Sequence, residues 1–377
     1  MNGIPLPVFP RMPAQRRSKR KELSALVVLY LTFIDFGEMK SGSSVRPQKI
    51  YDAFLERGHT VKLLEGQQNR YKDRRKRVKA ILDWLKDNRP DICYVEPPSG
   101  PFFCALDLKL LKTIHKMGIP VGLFYRDAHW LYADWWGVGG PKAALLRAMH
   151  KRDIRVFARC CDTLYFPSAS MAELFRRYSF AQMDILPPAC VSVTEPHPAL
   201  AHRMIYVGGI RDAYGTDVLL SAFRRLNRAE TKVELYLVCR EAEMANMPGE
   251  SYDYDWLKVF HVQGDGLKEL YARCDAGIIP LKRDKYMDFS IPVKLMEYLG
   301  YGLPVISTDC TETAAFVEAN HCGLLCRDNG DSLAETIEAF YSENTDHRTL
   351  AQNVQETAAN NRWVNRVDKI VRDLSGQ

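Results

Sequence analysis

The stretch DFSIPVKLMEYLGYGLPVIST, residues 288–308, sets a short helix directly before a buried strand. The spacing predicts a helix beginning at Ile291-Pro292, where proline is tolerated because its nitrogen has no intrahelical acceptor. Leu295, Tyr298 and Leu299 share one face at spacings of three and four. Gly300 and Gly302 end the helix, and Pro304 opens the β-branched run Val305-Ile306-Ser307-Thr308. Lys294 and Glu297 fall on the first turns, near free backbone N–H groups and the positive end of the helix dipole. Such a terminus suits a phosphate, and a carboxylate one turn along suits a ribose diol. An ordinary amphipathic helix of a βαβ unit has the same apolar face, so Lys294 and Glu297 carry the functional reading.

Outward from this stretch, strand and helix signals alternate. Residues 24–31 read as a buried strand, 45–57 as a helix closed by Gly58, and 60–64 as the next strand. A basic helix over 73–88 precedes strand 91–95. A helix near 105–117 precedes strand 120–125, and a helix near 141–160 precedes strand 163–166. Ser168 stands where it would cap a helix over 169–178. Residues 186–198, LPPACVSVTEPHP, carry four prolines and read as a linker. A second series then runs through strand 203–207, helix 215–228 and strands 232–239 and 257–262, then helix 266–273 and strand 276–280. The fold class is α/β: two doubly wound parallel sheets, each a Rossmann-like domain. The expected organisation is a basic leader over 1–22, domains over 23–188 and 201–346, a linker over 189–200 and terminal helices over 347–377.

A chain of 377 residues exceeds one typical core, and 46% hydrophobic residues suffice for two. Its net charge of +6 divides unevenly. Residues 1–200 hold 32 Lys/Arg against 19 Asp/Glu (+13), and 201–377 hold 20 against 27 (−7). Two basic clusters stand out, 11–21 and 70–79, the second with seven basic residues in ten. Such clusters suit anionic lipid headgroups, or serve as a solvated helix face. No recognition motif of a nucleic-acid module accompanies them, so no nucleic-acid partner is expected. The ten cysteines include no CxxC pair, which predicts reduced, buried thiols and no metal site. No apolar run reaches the ~18–20 residues of a membrane span. The expected location is the cytoplasm, with any membrane contact peripheral.

Three further segments carry chemistry-bearing residues. A Gly/Ser loop over 37–44 lies between strand and helix, where backbone amides approach a ligand closely, with Gly42 and Arg46 as candidates. Tyr125-Arg126-Asp127-Ala128-His129-Trp130 follows an apolar strand. There Asp127 either orients His129, acts as a general base, or pairs with Arg126 to fix the loop. Tyr206-Val207-Gly208-Gly209-Ile210-Arg211 is a second strand-to-loop corner.

The 291–308 stretch resembles the nucleotide-sugar site of GT-B glycosyltransferases, in particular the retaining group 1 set often called family 4. The resemblance extends over roughly 24–345. It implies two Rossmann-like domains facing across a cleft, with a C-terminal helix that crosses back. It implies that Glu297 holds the donor ribose and that the 37–46 corner faces the donor phosphates or sugar. Arg57-Gly58-His59-Thr60-Val61 fits the same pattern. In the family, an Arg and a Lys after the first strand of the second domain neutralise the pyrophosphate. This chain has Gly209 and Tyr214 there, which leaves Arg211 and Lys294 as substitutes. A Glu that usually contacts the sugar is Phe289 here, leaving Asp288 or the amides of Ser290 and Ile291. The implied activity is sugar transfer from a nucleoside-diphosphate sugar to a lipid-linked or other glycan acceptor, retaining, in surface polysaccharide biosynthesis. No cofactor and no metal are expected. The alternatives are a nucleotide-sugar epimerase of this fold and a non-catalytic nucleotide-sugar or glycan-binding protein.

Overall fold

The computed structural model describes residues 24–37, 42–195, 200–230, 232–247 and 254–376. The leader, the 11–21 cluster and part of the 37–44 loop lie outside these residues. The first series is β1 (Val27–Thr32), α1 (Gly42–Glu56), β2 (Thr60–Leu64), α2 (Tyr71–Trp84), β3 (Ile92–Glu96), α3 (Ala105–Lys116), β4 (Val121–Phe124), α4 (Ala133–Trp136), α5 (Gly140–Cys160), β5 (Thr163–Phe166), α6 (Ala169–Glu173) and β6 (Met183–Ile185). The second is β7 (Arg203–Val207), α7 (Thr216–Leu226), β8 (Glu234–Val238), β9 (Leu257–Phe260), α8 (Asp265–Tyr271), β10 (Ala276–Ile279), α9 (Val293–Gly300), β11 (Val305–Thr308), α10 (Thr311–Asn320), β12 (Gly323–Cys326), α11 (Gly330–Phe340), α12 (His347–Asn360) and α13 (Trp363–Ser375).

Each series builds a six-stranded parallel sheet, in the order β2-β1-β3-β4-β5-β6 and β12-β11-β10-β7-β8-β9. The architecture is two Rossmann-like α/β units. The N-terminal unit runs to Pro188 and resumes at Trp363, and the C-terminal unit is Ala189–Arg362. The unit boundary therefore falls between α12 and α13. The expectation of terminal helices beginning at 347 is corrected: α12 packs on α9 within the C-terminal unit. The proline-rich segment is likewise divided, since Pro187 and Pro188 belong to the N-terminal unit. Their carbonyls accept hydrogen bonds from Arg366 at 3.0 and 2.9 Å.

α13 joins the N-terminal unit because its apolar stripe, Val367, Ile370, Val371 and Leu374, is buried there against the sheet and α1. Each such residue stabilises by about 1.5–3 kcal/mol. Arg57 at the end of α1 clamps Asp368 of α13 through two hydrogen bonds of 2.7 and 2.6 Å. In Arg57-Gly58-His59, Gly58 takes φ +77 to end the helix, and His59 Nδ1 accepts from the Leu26 amide at 3.2 Å. That motif holds the fold together. Arg57→Ala is expected to cost about 1–2 kcal/mol, because the clamp is only partly buried. A lower urea midpoint with unchanged slope checks it.

The connection β1→β2 moves toward one edge of the sheet, and β2→β3, β3→β4 and β4→β5 move the other way. Right-handed crossovers therefore place α1 on one face and α2, α3 and α5 on the opposite one. α3 packs between α2 and α5. Inside this layer Arg74 and Asp107 are buried, paired at 2.8 Å. Outside, Lys72, Arg75, Lys76 and Lys79 on α2 are exposed. So are Lys109, Lys112 and Lys116 on α3. α5 exposes Lys142, Lys151, Arg155 and Arg159, while its one acid, Asp153, is buried.

Candidate functional site

In the C-terminal unit the opening stretch folds largely as its spacing predicts. α9 starts one residue later than expected: Pro292, with ψ 138, is extended and serves as the N-cap. Leu295, Tyr298 and Leu299 are fully buried. The Tyr298 hydroxyl accepts from the Val207 amide at 2.9 Å and so ties α9 to the end of β7. Gly277 in β10 makes room for it, since a Cβ there would lie 2.2 Å from the Tyr298 ring.

That contact brings together two segments read separately from the sequence. The Lys294 ammonium sits 4.2 Å from the centroid of the Tyr206 ring. It also lies 3.3 Å from where a Cβ on Gly208 would be. The Tyr206 hydroxyl donates to the Gly209 carbonyl at 2.7 Å and holds the corner in shape. Lys294 has no ion-pair or hydrogen-bond partner among the described residues; the residue is half-buried, and the enclosure of its ammonium pushes it down to about 7. A cation in a low-dielectric corner without a counter-charge is costly alone and is satisfied by an incoming anion. Three residues along α9, burial pushes the Glu297 carboxyl up, and the Tyr271 hydroxyl beside it pulls the other way. That hydroxyl is buried and makes no hydrogen bond of good geometry.

The other donor-site candidates fare unequally. Arg211 is exposed, unpaired among the described residues and 5.9 Å from the Tyr214 ring. Gly209 faces Glu243, whose Oε2 would lie 2.6 Å from a Cβ there and accepts from the Ile210 amide at 2.6 Å. Ser290 is corrected as a donor to the sugar: its amide and its hydroxyl both donate to the Met287 carbonyl at 3.0 Å, which leaves only the hydroxyl oxygen, as an acceptor. Asp288 accepts from Arg283 and from the Thr311 amide, both at 3.1 Å. Lys282 pairs with Asp212 and Asp217.

In the N-terminal unit Gly42 opens α1. Arg46 is corrected as a donor ligand. It is buried, pairs with Glu96 at 2.9 Å, and its guanidinium stacks 3.5 Å from the centroid of the Phe124 ring. It braces β3 and β4 from inside. At the carboxyl end of β4, Asp127 Oδ1 accepts from the His129 amide at 3.0 Å. Its Oδ2 is 3.3 Å from His129 Nδ1, within ion-pair range but without hydrogen-bond geometry. Asp127 therefore orients the His129 loop. Asp127 also lines a small cavity with residues 97–102, Arg126, His150, Asp153 and Phe157. His150 escaped the sequence reading because it lies on the buried side of α5. It stacks on Trp130 at 4.7 Å, and burial, helped by His129, pushes it down to about 4.

Residues 201–343 match the family described as glycosyl transferases group 1. No curated protein matches the chain. Among solved structures, sucrose-phosphate synthase from Thermosynechococcus elongatus is similar at 13% identity, covering 93% of this chain and 99% of that one, with TM-score 0.65. A glycosyltransferase from Rickettsia africae has 13% identity, coverage of 93% and 98%, and TM-score 0.65. The Anabaena protein HepE, in complex with UDP and glucose, has 13% identity, coverage of 93% and 100%, and TM-score 0.60. The fold so defined is the GT-B architecture of these glycosyltransferases. Within it, residues 201–343 of the C-terminal unit carry the similarity to the group 1 glycosyltransferases.

Proposed function

We propose that this protein moves a sugar from a nucleoside-diphosphate sugar to a lipid-linked or other glycan acceptor, with retention of configuration. Its setting would be surface polysaccharide assembly at the cytoplasmic face of a membrane. The observation that carries the donor half is the unpaired Lys294 ammonium at the Gly208-Gly209 corner, on the same short helix as Glu297. A diphosphate supplies the missing counter-charge, and Glu297 accepts from the ribose hydroxyls. HepE, of the same fold, is described bound to UDP and glucose, which agrees with such a donor. As the glycosidic bond breaks, negative charge grows on the departing diphosphate. Lys294, Arg211 and the Gly209 amide stabilise it there. Asp127 and His129 are the catalytic candidates of the N-terminal unit. The reading assigns no step to a metal, so EDTA should leave transfer unchanged.

Release of free nucleoside diphosphate in the presence of glycan acceptors tests this. Asp127→Asn and His129→Ala should each lower turnover by about 10²-fold or more while nucleotide affinity stays within about twofold. Unchanged turnover in both variants removes them from the site. Conversion of the donor's sugar without any acceptor would show an epimerase instead.

A further inference from the structure

The layer formed by α2, α3 and α5 has no role in the chemistry above, yet its outer surface is charged almost entirely with one sign. Eleven exposed Lys and Arg residues lie on three adjacent helices. None of them makes an ion pair among the described residues. The single exposed acid on these helices, Asp83, is paired with Lys86 at 2.7 Å. A solvated helix face normally mixes signs, because like charges on neighbouring helices repel.

The same layer has an apolar rim. In a parallel βαβ unit each helix runs against its strands, so the helix N-termini lie at the carboxyl edge of the sheet. At that edge Tyr71 opens α2, Phe103 precedes α3 by two residues, and Leu145 is in the second turn of α5. They are exposed by 46%, 48% and 62%. Arg147 lies 5.0 Å from the Trp136 ring nearby. The three side chains share one edge of the unit, the edge that also carries Asp127 and His129. Basic residues below an apolar and aromatic rim match a bilayer surface, where headgroups are anionic and the layer beneath is apolar. A nucleic acid would use the charge but offers nothing to Leu145.

We propose that the α2–α3–α5 face docks on an anionic phospholipid bilayer, with Tyr71, Phe103 and Leu145 entering the headgroup layer. This holds the carboxyl edge of the N-terminal sheet at the membrane surface, where the sugar end of a lipid-linked acceptor emerges. The inference rests on the glycosyl-transfer reading only for that acceptor; the docking stands or falls alone.

The experiment is co-sedimentation of the full chain with phosphatidylcholine vesicles carrying about one-third phosphatidylglycerol, at low and high salt. Wild type should bind at low salt and be released at high salt. The combined variant Lys76→Glu, Lys112→Glu, Arg155→Glu should bind at least about a hundredfold more weakly. Phe103→Ser with Leu145→Ser should lower binding about tenfold and leave the salt slope unchanged. Thermal shifts with nucleoside diphosphates should be equal in all forms, which shows that the variants fold and separates this test from that of the donor site. Absence of wild-type binding at low salt overturns the proposal. So does vesicle binding that the charge reversals leave intact, which would assign membrane contact to another part of the chain. Duplex DNA bound as tightly as vesicles, with no effect of the serine variants, would overturn it in favour of a nucleic-acid surface.

Discussion

Gly215→Ala is expected to destabilise the C-terminal unit by about 4 kcal/mol or more, one of the largest effects available to a single methyl group. Gly215 joins the β7 corner to α7 with φ +69, a conformation that costs an L-residue about 1–2 kcal/mol. The remainder comes from packing. A Cβ there would lie 1.6 Å from the Pro280 carbonyl oxygen at the end of β10. Both partners are backbone, so no rotamer change relieves the overlap, and either β10 or α7 must move. Moving α7 disturbs a helix whose Leu219, Ala222 and Phe223 are buried in the core of this unit. Gly137→Ala, in the N-terminal unit, is the control for backbone conformation alone. Its φ is +62, with nothing within 4 Å of the added carbon. It should cost only about 1 kcal/mol. Thermal unfolding should separate the two by about 6–12 °C, at roughly 2–4 °C per kcal/mol for a unit of this size. Equal melting temperatures would mean that the approach of Gly215 to Pro280 is not as tight as described.

Nucleotide affinity should depend on pH through Lys294. In the free protein its ammonium titrates at about 7. A bound diphosphate favours the charged form and raises that value. Below pH 7 the charge is already present, so affinity is at its full value. Above pH 7 binding must first take up a proton, and affinity falls by up to about tenfold per pH unit until the pKa of the complex is reached. Lys294→Met should bind about 10–100-fold more weakly at pH 6 and lack this slope. Comparing the two proteins cancels the ionisation of the nucleotide itself. The unliganded protein should show the complementary effect. Between about 7 and the ordinary lysine value, the unfolded chain holds a proton that the folded one does not. The contribution of Lys294 to stability therefore rises with pH across that window and is absent from Lys294→Met. Calorimetric titration at several pH values reads the binding effect. Parallel slopes in the two proteins would refute the role assigned to Lys294.

The fold was legible because its signals are local. The apolar face of α9, the β-branched run of β11 and the alternation of strands and helices all follow from spacing. Gly58 and Gly302 stop their helices at φ +77 and +78, as glycine placement suggests. What spacing does not encode is where a long side chain goes. Arg46 resembles a phosphate ligand by its place after a Gly/Ser loop. Its guanidinium turns inward onto Glu96, buried at the end of β3, and the face of the Phe124 ring. Ser290 lost its donating role to the helical turn over Met287–Phe289, which takes both of its donors. Glu243 and His150 came from elements with no site-like pattern of their own. Lys294 was legible on both counts, since its helix start and its charge lie in the same seven residues as Glu297.

The most direct test is the melting temperature of wild type and Glu297→Ala with saturating UDP, GDP, ADP, CMP or dTDP. A ligand that binds the native state must raise it. One nucleoside diphosphate should stabilise wild type clearly and the variant far less, which would also name the base. No shift with any of them, or a shift that Glu297→Ala leaves untouched, would contradict a nucleotide-sugar site on α9.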